Sequence, residues 1–385
     1  MITLKKLCAI LMLMMFCVSA NAETRARFIF IGDIMVHDQQ LDAAKRKDGT
    51  YDFSSSFRRV KPLLKDAFLV GNLETVFAGT GKKLKYAGFP LFNTPDVFTE
   101  NLTGDLEVDL LSLANNHIFD RGASGARRTT EVLDSADIAW IGLGVGDIPS
   151  NDAILLENNG IRAAFINHSY GSNEWPKSSD VHLNVISEAD IEQSMARAKS
   201  LSPDIIIALF HWGNEYHYSP NVHQKKAADT AFTNGASLIV GTHPHVLQPV
   251  EVRVESYDVK AVAWSLGNFV SFQRTLPRER SVILSAEFVK DDGETRLTGL
   301  GIAPLYVIAP GSKRTEVTYA GNDEALIETL DFSGLSKSQV SNLRNIGRSV
   351  IDFLGARKET DEYGFNILWS EESRDVLPKS RKKTP

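Results

Sequence analysis

Leu238-Ile239-Val240-Gly241-Thr242-His243-Pro244-His245 couples a short apolar run to two histidines that flank a proline. A run this short, rich in Ile, Val and Leu, suits a strand buried on both faces, and the polar residues fall at its carboxyl end. The same punctuation recurs along the chain. Phe28-Ile29-Phe30-Ile31 ends at Gly32-Asp33, Phe68-Leu69-Val70 at Gly71-Asn72-Leu73-Glu74, and Leu110-Leu111-Ser112-Leu113 at Ala114-Asn115-Asn116-His117. The run over 205–210 ends at His211-Trp212-Gly213, and that over 261–266 at Gly267-Asn268. Amphipathic stretches lie between several of these runs. Residues 187–199 open on a serine with early acids at Glu188 and Asp190 and place Ile191, Met195 and Ala198 on one face, and 223–233 read as a second helix. Strand–helix alternation predicts an α/β layered fold. Ligands of open α/β sheets sit outside the carboxyl ends of the strands, so these polar clusters are expected on one sheet edge.

The 385-residue chain opens differently. Lys5 and Lys6 precede an apolar run over 7–18 and then Ser19-Ala20-Asn21-Ala22, the layout of a secretory signal peptide. The run is short for a membrane span, which needs about 20 residues. Cleavage near Ala22 is therefore expected, leaving a secreted or periplasmic protein. Both cysteines, Cys8 and Cys17, belong to this leader. Their loss excludes disulfide scaffolds, zinc–thiolate sites and thiol nucleophiles, so any metal is left to His, carboxylate and amide oxygen. The remainder carries 40 basic against 48 acidic side chains, a net charge of −8, which argues against nucleic acid as a partner.

Residues 282–289, an Asp292-Gly293 turn and 295–308 read as a hairpin that would extend a second sheet against the first. Residues 321–385 are expected to form a helical or irregular extension, in which Val340, Leu343, Gly347, Val350 and Leu354 share a helical face.

Asp33, Glu74, Asn116, His211, His243 and His245 all follow apolar runs, and all offer hard or borderline metal ligands. Alternate residues of an extended chain point to one side, so His-x-His would aim both imidazoles at one place, with Gly241 and Pro244 fixing the turn. A bridging carboxylate flanked by imidazoles holds two cations ~4 Å apart.

In order, Gly32-Asp33-Ile34-Met35, Asn72-Leu73-Glu74, Asn115-Asn116-His117 with Asp120, His211-Trp212-Gly213-Asn214-Glu215-Tyr216, Gly241-Thr242-His243-Pro244-His245 and Ser265-Leu266-Gly267-Asn268-Phe269 make up a set of motifs. The set resembles the CapA family of poly-γ-glutamate capsule biosynthesis proteins, which is itself similar to the calcineurin-like metallophosphatases. The resemblance covers 28–272. It implies a calcineurin-like metallophosphatase sandwich, two packed mixed β-sheets flanked by helices, in a CapA-like domain over 26–320. It also implies one or two divalent metal ions (Mn, Zn, Fe or Mg). Asp33 and His245 would bind the first, His211 and His243 the second, Asn116 would be a further metal ligand, and Glu74, or else Asn72, would bridge. His117 matches a catalytic imidazole, which Asp120 three residues on would orient.

Metallophosphatases usually carry Asp-x-His in the first motif and Gly-Asp in the second, where this chain has Met35 and Gly71-Asn72. Methionine is a poor ligand for hard cations, so the first site is expected to be weaker, remodelled through Glu74, or empty, with His37 a remote substitute. Glu215 would stand behind His211 or touch substrate, Asn268 would satisfy backbone groups near the site, and Gln248 and Glu251 would pin the His-Pro-His loop. Trp212 reads as packing, His217 and His223 as surface residues, and His168 as a weaker loop candidate. Gly142, Gly144 and Gly146 lack dinucleotide-binding spacing and read as a turn.

The expected function is that of a secreted CapA-like protein of poly-γ-glutamate capsule biosynthesis with a metal-dependent hydrolase site. Two alternatives stand beside it: a periplasmic phosphoesterase of 5′-nucleotidase type, and a non-catalytic accessory partner of a membrane polymer-synthase complex. The substrate would be a polyanionic polymer or a phosphoester.

Overall fold

A computed structural model describes residues 23–146, 152–177, 180–255, 258–309 and 314–372. The expected leader over 1–22 lies outside the described residues. The first sheet contains β1 (Thr24–Ile34), β2 (Phe68–Leu73), β3 (Leu110–Ser112) and β4 (Ala139–Ile141) in parallel, extended past β1 by antiparallel β14 (Arg280–Asp291), β15 (Glu294–Ile308) and β16 (Glu316–Tyr319). Two short strands join it: β13 (Asn268–Val270) beside β1 and β17 (Asn366–Ser370) beside β15. The second sheet has the order β11 (Val250–Glu255), β12 (Asp258–Ala263), β10 (Leu238–Thr242), β9 (Ile205–His211), β7 (Ile161–Ser169), β6 (Ile154–Asn158). Its strands β7, β9, β10 and β12 are parallel. A third, two-stranded pairing joins β5 (Leu143–Val145) to β8 (Val181–Leu183).

The period-2 alternation of side chains decides the layering. Phe28 and Phe30 of β1 and Ile205, Ile207 and Leu209 of β9 enter one shared core between the sheets. The alternate residues face outward. Ile29 and Ile31 pack under helices α1 (Asp38–Ala44) and α2 (Gly122–Ser135) with their neighbouring turns, while Ile206, Ala208 and Phe210 pack under α3 (Glu188–Ser200) and α4 (Val222–Thr233). Buried on both faces, the strands read as continuous apolar runs. The result is two packed mixed β-sheets flanked by helices.

Three expectations change. The hairpin β14–β15 does not build the second sheet; β14 takes the free edge of β1 in the first. The extension is not only helical: α5 (Lys337–Leu354) is followed by β17, because β16 covers only Leu305–Ile308 of the long β15 and leaves Gly299–Ile302 to be paired. The glycine run 142–146 is a short strand with positive-φ glycines, Gly142 and Gly146, at its ends.

Two glycines let neighbouring strand ends crowd together. A Cβ on Gly32 would lie 1.8 Å from the carbonyl oxygen of Gly267, and one on Gly241 would lie 2.2 Å from that of Trp264 and 2.4 Å from Trp212 Nε1. Gly241→Ala should therefore cost about 3 kcal/mol or more, at the upper end of overpacking. Gly293→Ala meets no atom within 4 Å and strains only a positive φ, so about 1 kcal/mol is expected. Urea unfolding of the two variants against the parent protein measures both.

Candidate metal centre

Parallel pairing sets the strand ends level. Asp33 on β1 is the register partner of Asn72 on β2 and of Asn268 on β13, and Asn72 is that of Ser112 on β3. In the other sheet His211 is level with Thr242. Glu74, Asn116, His243 and His245 follow just past these ends. The Glu74 N–H donates to Ile34 O (3.0 Å). Asn115 holds the next turn, its Oδ1 accepting from His117 N–H (3.1 Å) and its Nδ2 donating to Leu73 O (2.7 Å).

The His-Pro-His segment is not the extended chain its spacing suggests. His243 and His245 have φ of +95° and +57°, because β10 and its hydrogen-bond ladder stop at Thr242. Non-glycine residues in this region cost of order 1–3 kcal/mol each and persist where the surroundings over-determine them. Here Pro244 O accepts from Tyr216 N–H (2.7 Å), and Gln248 Nε2 donates to His217 O (2.8 Å), tying the turn to the 214–219 loop. Glu251 instead accepts from Trp264 Nε1 (2.8 Å), bracing the end of β12 rather than the His-Pro-His turn.

Glu74 stands at the middle of the cluster. Its Oε1 lies 3.7 Å from His211 Nε2 and 3.8 Å from His245 Nε2 and has no hydrogen-bond partner. Asp33 Oδ1 accepts from Asn72 Nδ2 (2.8 Å), and Oδ2 lies 3.0 Å from His245 Nδ1. His211 is held at both nitrogens, Nδ1 by Thr242 Oγ1 (3.0 Å) and Nε2 by Asn116 Oδ1 (2.7 Å). Asn268 Oδ1 lies 3.0 Å from His245 Nδ1, and its Nδ2 donates to Arg278 O (3.1 Å). Two sets of ligand atoms lie within 4.8 Å of one another, Glu74–His243–His245 and Asp33–Glu74–His211. The grouping differs from the division implied above, in which Asp33 goes with His245 and His211 with His243. Glu74 is shared under either.

The electrostatics distinguish this cluster from an ordinary buried ion pair. Asp33 and Glu74 are fully buried, yet among the described residues neither is paired with a lysine or arginine. Of the other buried acids, Glu316 meets Arg59 at 2.6 Å and Glu279 meets Arg274 at 3.5 Å, while Asp120, beside the same cluster, meets His117. Burial, then the nearby Asp33 charge, pushes the Glu74 carboxyl well above its usual range. Burial, then the neighbouring imidazoles, holds His211 and His243 well below theirs, so both are neutral ligands at pH 7. Buried charge must be paired or coordinate metal. Glu74 Oε1, His243 Nδ1 and Asn116 Nδ2 are all buried without a hydrogen-bond partner. The donor set fits a divalent cation.

Beside the ligands, His117 Nδ1 meets Asp120 Oδ2 at 2.9 Å, and the same oxygen accepts from Phe92 N–H (2.7 Å). Met35 is buried, and its N–H donates to Val270 O. His37 caps α1 and accepts from Phe272 N–H (3.2 Å), and burial lowers its pKa to about 4. Neither belongs to a ligand group. His168 is no loop residue. It lies within β7, buried, between Val185 O and Ser194 Oγ. Trp212 packs on Phe210 and Trp264. Glu215, His217 and His223 are exposed, and no hydrogen bond joins Glu215 to His211 among the described residues. Glu215 acts at a distance, adding negative potential at Glu74 and Tyr170.

Sequence reasoning missed the aromatic wall. Tyr170 lies 4.5 Å from His243 between ring centroids, and Phe92 lies 4.8 Å from His117, edge-on. Both come from loops whose sequence carries no ligand-like signal. Thr242, by contrast, was visible inside the His-Pro-His motif as a hydroxyl one residue from a ligand.

Two packed mixed sheets with a buried carboxylate–imidazole cluster at the parallel strand ends define a layered α/β protein with a candidate metal centre. The chain belongs to the bacterial capsule synthesis protein family PGA_cap, whose sequence profile matches residues 27–273. It is 30% identical over 290 residues to the capsule biosynthesis protein CapA of Bacillus anthracis, covering 72% of this chain and 66% of that protein. It is 27% identical over 280 residues to the PGA biosynthesis protein CapA of Bacillus subtilis (strain 168), covering 69% and 68%. The chain thus spans about two thirds of the length of these relatives. Among solved structures it is similar to the calcineurin-like phosphoesterase YfkN of Bacillus subtilis, at 14% identity and a TM-score of 0.45, covering 86% of this chain and 98% of that one.

Two predictions follow from the ligand set. His243→Ala should lower the divalent metal that copurifies, because a lost ligand leaves the cation under-coordinated, while His223→Ala should leave it unchanged; elemental analysis of purified variants checks both. The second concerns pH. Glu74, with its pKa raised, contributes stability to the metal-free protein at low pH and loses it as pH rises through that pKa. A bound cation removes this penalty, and His211 and His243 are already neutral. The rise in melting temperature on adding Mn²⁺ or Zn²⁺ should thus be larger at pH 7.5 than at pH 5.5.

Proposed function

We propose that this chain is a secreted protein of poly-γ-glutamate capsule biosynthesis that works through a divalent-metal hydrolase centre. The observation that carries the reading is Glu74, a buried carboxylate shared by two sets of ligand atoms and unpaired by any lysine or arginine among the described residues. Membership of a capsule-synthesis family supports the biological setting. When bound, a divalent cation supplies Lewis-acid polarisation of a phosphoryl or carbonyl oxygen.

The chain's own residues do the rest. Asp120 receives the His117 Nδ1–H and fixes the tautomer, leaving Nε2 to exchange a proton with a leaving group. Burial raises the Asp120 pKa, and its hydrogen bond to His117 opposes that rise. Thr242 and Asn268 orient His211 and His245 from behind. Tyr170 screens His243 from solvent, and its own phenol, pushed up to about 12 by burial, stays protonated.

Secretion after cleavage near Ala22, a polyanionic polymer or phosphoester as substrate, and contact with a membrane polymer-synthase complex complete the reading. Among the described residues, no helix is long and apolar enough to cross a membrane. N-terminal sequencing of protein from the producing cell should begin at Glu23.

Turnover of γ-glutamyl peptides and phosphoesters tests the chemistry. His117→Ala should keep bound metal while cutting turnover by ~10²–10⁴, the usual contribution of general acid–base catalysis. It also leaves the buried Asp120 without its imidazole partner, so a lower melting temperature is expected and turnover is compared where both proteins are folded. Capsule formation that survives His117→Ala in the cell, with no hydrolysis by either form, would overturn the enzyme reading in favour of an accessory role.

A further inference from the structure

A cavity of about 340 Å³ opens beside the metal centre, bordered by His37, Phe89, Tyr216, Gln273 and Arg278 among others. Its connection to the ligands is short. The Tyr216 ring lies 6.0 Å from the His245 ring, and Arg278 Cζ sits 3.5 Å over Tyr216. Asn268 ties the same corner together, touching His245 through Oδ1 and the Arg278 carbonyl through Nδ2.

Arg278 is half-buried, and among the described residues no carboxylate lies within ion-pair distance of it. That sets it apart from Arg59, Arg128 and Arg274, each of which meets an acid. The acid on the cavity rim, Asp38, is exposed and accepts from Gly88 N–H (2.6 Å). A guanidinium positioned by an aromatic face rather than by an acid keeps its planar fork of donors for a ligand, and that fork matches an oxyanion in two places at once.

We propose that Arg278 is the anion anchor of this centre, binding a substrate oxyanion next to the group presented to the metal ligands and so setting the charge specificity of the site. The oxyanion is the α-carboxylate of a γ-linked glutamate chain or the phosphate of an ester; the chemistry recognised is the same. The Gln273 amide adds a neutral hydrogen-bonding group, and Phe89, 64% exposed at the rim, offers an apolar face to the methylenes between successive charges. The placement next to a cleaved group rests on the hydrolase reading, but the anion binding does not.

Calorimetric titration of the purified protein in EDTA tests this with two probes, a γ-linked hexaglutamate and phenyl phosphate. Arg278→Ala should weaken at least one by ~10-fold or more, the scale of a lost charge-assisted hydrogen bond. Arg278→Lys should restore only part of the loss. The arm that loses affinity identifies the source of the oxyanion. The α-amide form of the hexaglutamate should bind the parent protein and Arg278→Ala alike, which a merely structural role would not give. The proposal is overturned by unchanged affinity for both probes in an Arg278→Ala protein of parental melting temperature, by equal loss for the neutral amide, or by failure of both probes to bind the parent. Metal content and turnover on the same preparations report separately on the hydrolase reading. Arg278-dependent binding without turnover keeps the anchor and removes the hydrolase.

Discussion

Glu74 and Asp33 lie together in the interior with only imidazoles and amides around them. Desolvating a carboxylate costs several kcal/mol even after relaxation, and neutral histidines return little of it. A protein folded without a cation meets this cost by holding Glu74 protonated, as the raised pKa indicates. Elsewhere the fold neutralises buried acids with arginine, as at Glu316. The centre therefore departs from the chain's own practice, in the direction that favours a divalent ion.

Much of the architecture serves to make that cluster possible. Five strand ends have to be brought level from two sheets, and neighbouring strand ends have to crowd until Gly32, against Gly267, and Gly241, against Trp264 and Trp212, leave no room for a side chain. The left-handed backbone at His243 and His245 is part of the same bargain, a local strain held by Pro244, Tyr216 and Gln248. The shared core that holds the sheets together includes Phe28, which touches Phe68, Phe165 and Phe288 across both sheets. Rigid packing at the strand bodies lets the loops beyond them carry the chemistry.

The arrangement also separates tasks. Ligand atoms come from the strand ends, whereas the His117–Asp120 pair sits on the turn after β3 and is braced by the Phe92 backbone. Tyr170 and Phe89 come from loops that share no sequence pattern with the ligands, and Tyr216 closes the motif that His211 opens; all three line the approach to the centre. Changes in these loops would reshape the approach and leave the buried carboxylate–imidazole cluster unchanged beneath them.

The sequence by itself determined the layered α/β class, because strands buried on both faces must be apolar throughout and must end where the chain meets solvent or a site. It also determined the residues of the cluster, since Asp33, Glu74, Asn116, His211, His243 and His245 each sit at such an end. Tertiary structure alone decided how they group. Glu74 emerges as the shared ligand only once β1, β2, β9 and β10 are in register, and the His-Pro-His segment turns because its ladder stops at Thr242, which no spacing rule records. It likewise decided that His168 packs inside β7, that 366–370 pairs with β15, and that Arg278 lies near His245, 33 residues away in the chain. Such contacts depend on which distant segments meet, and local propensity carries no information about that.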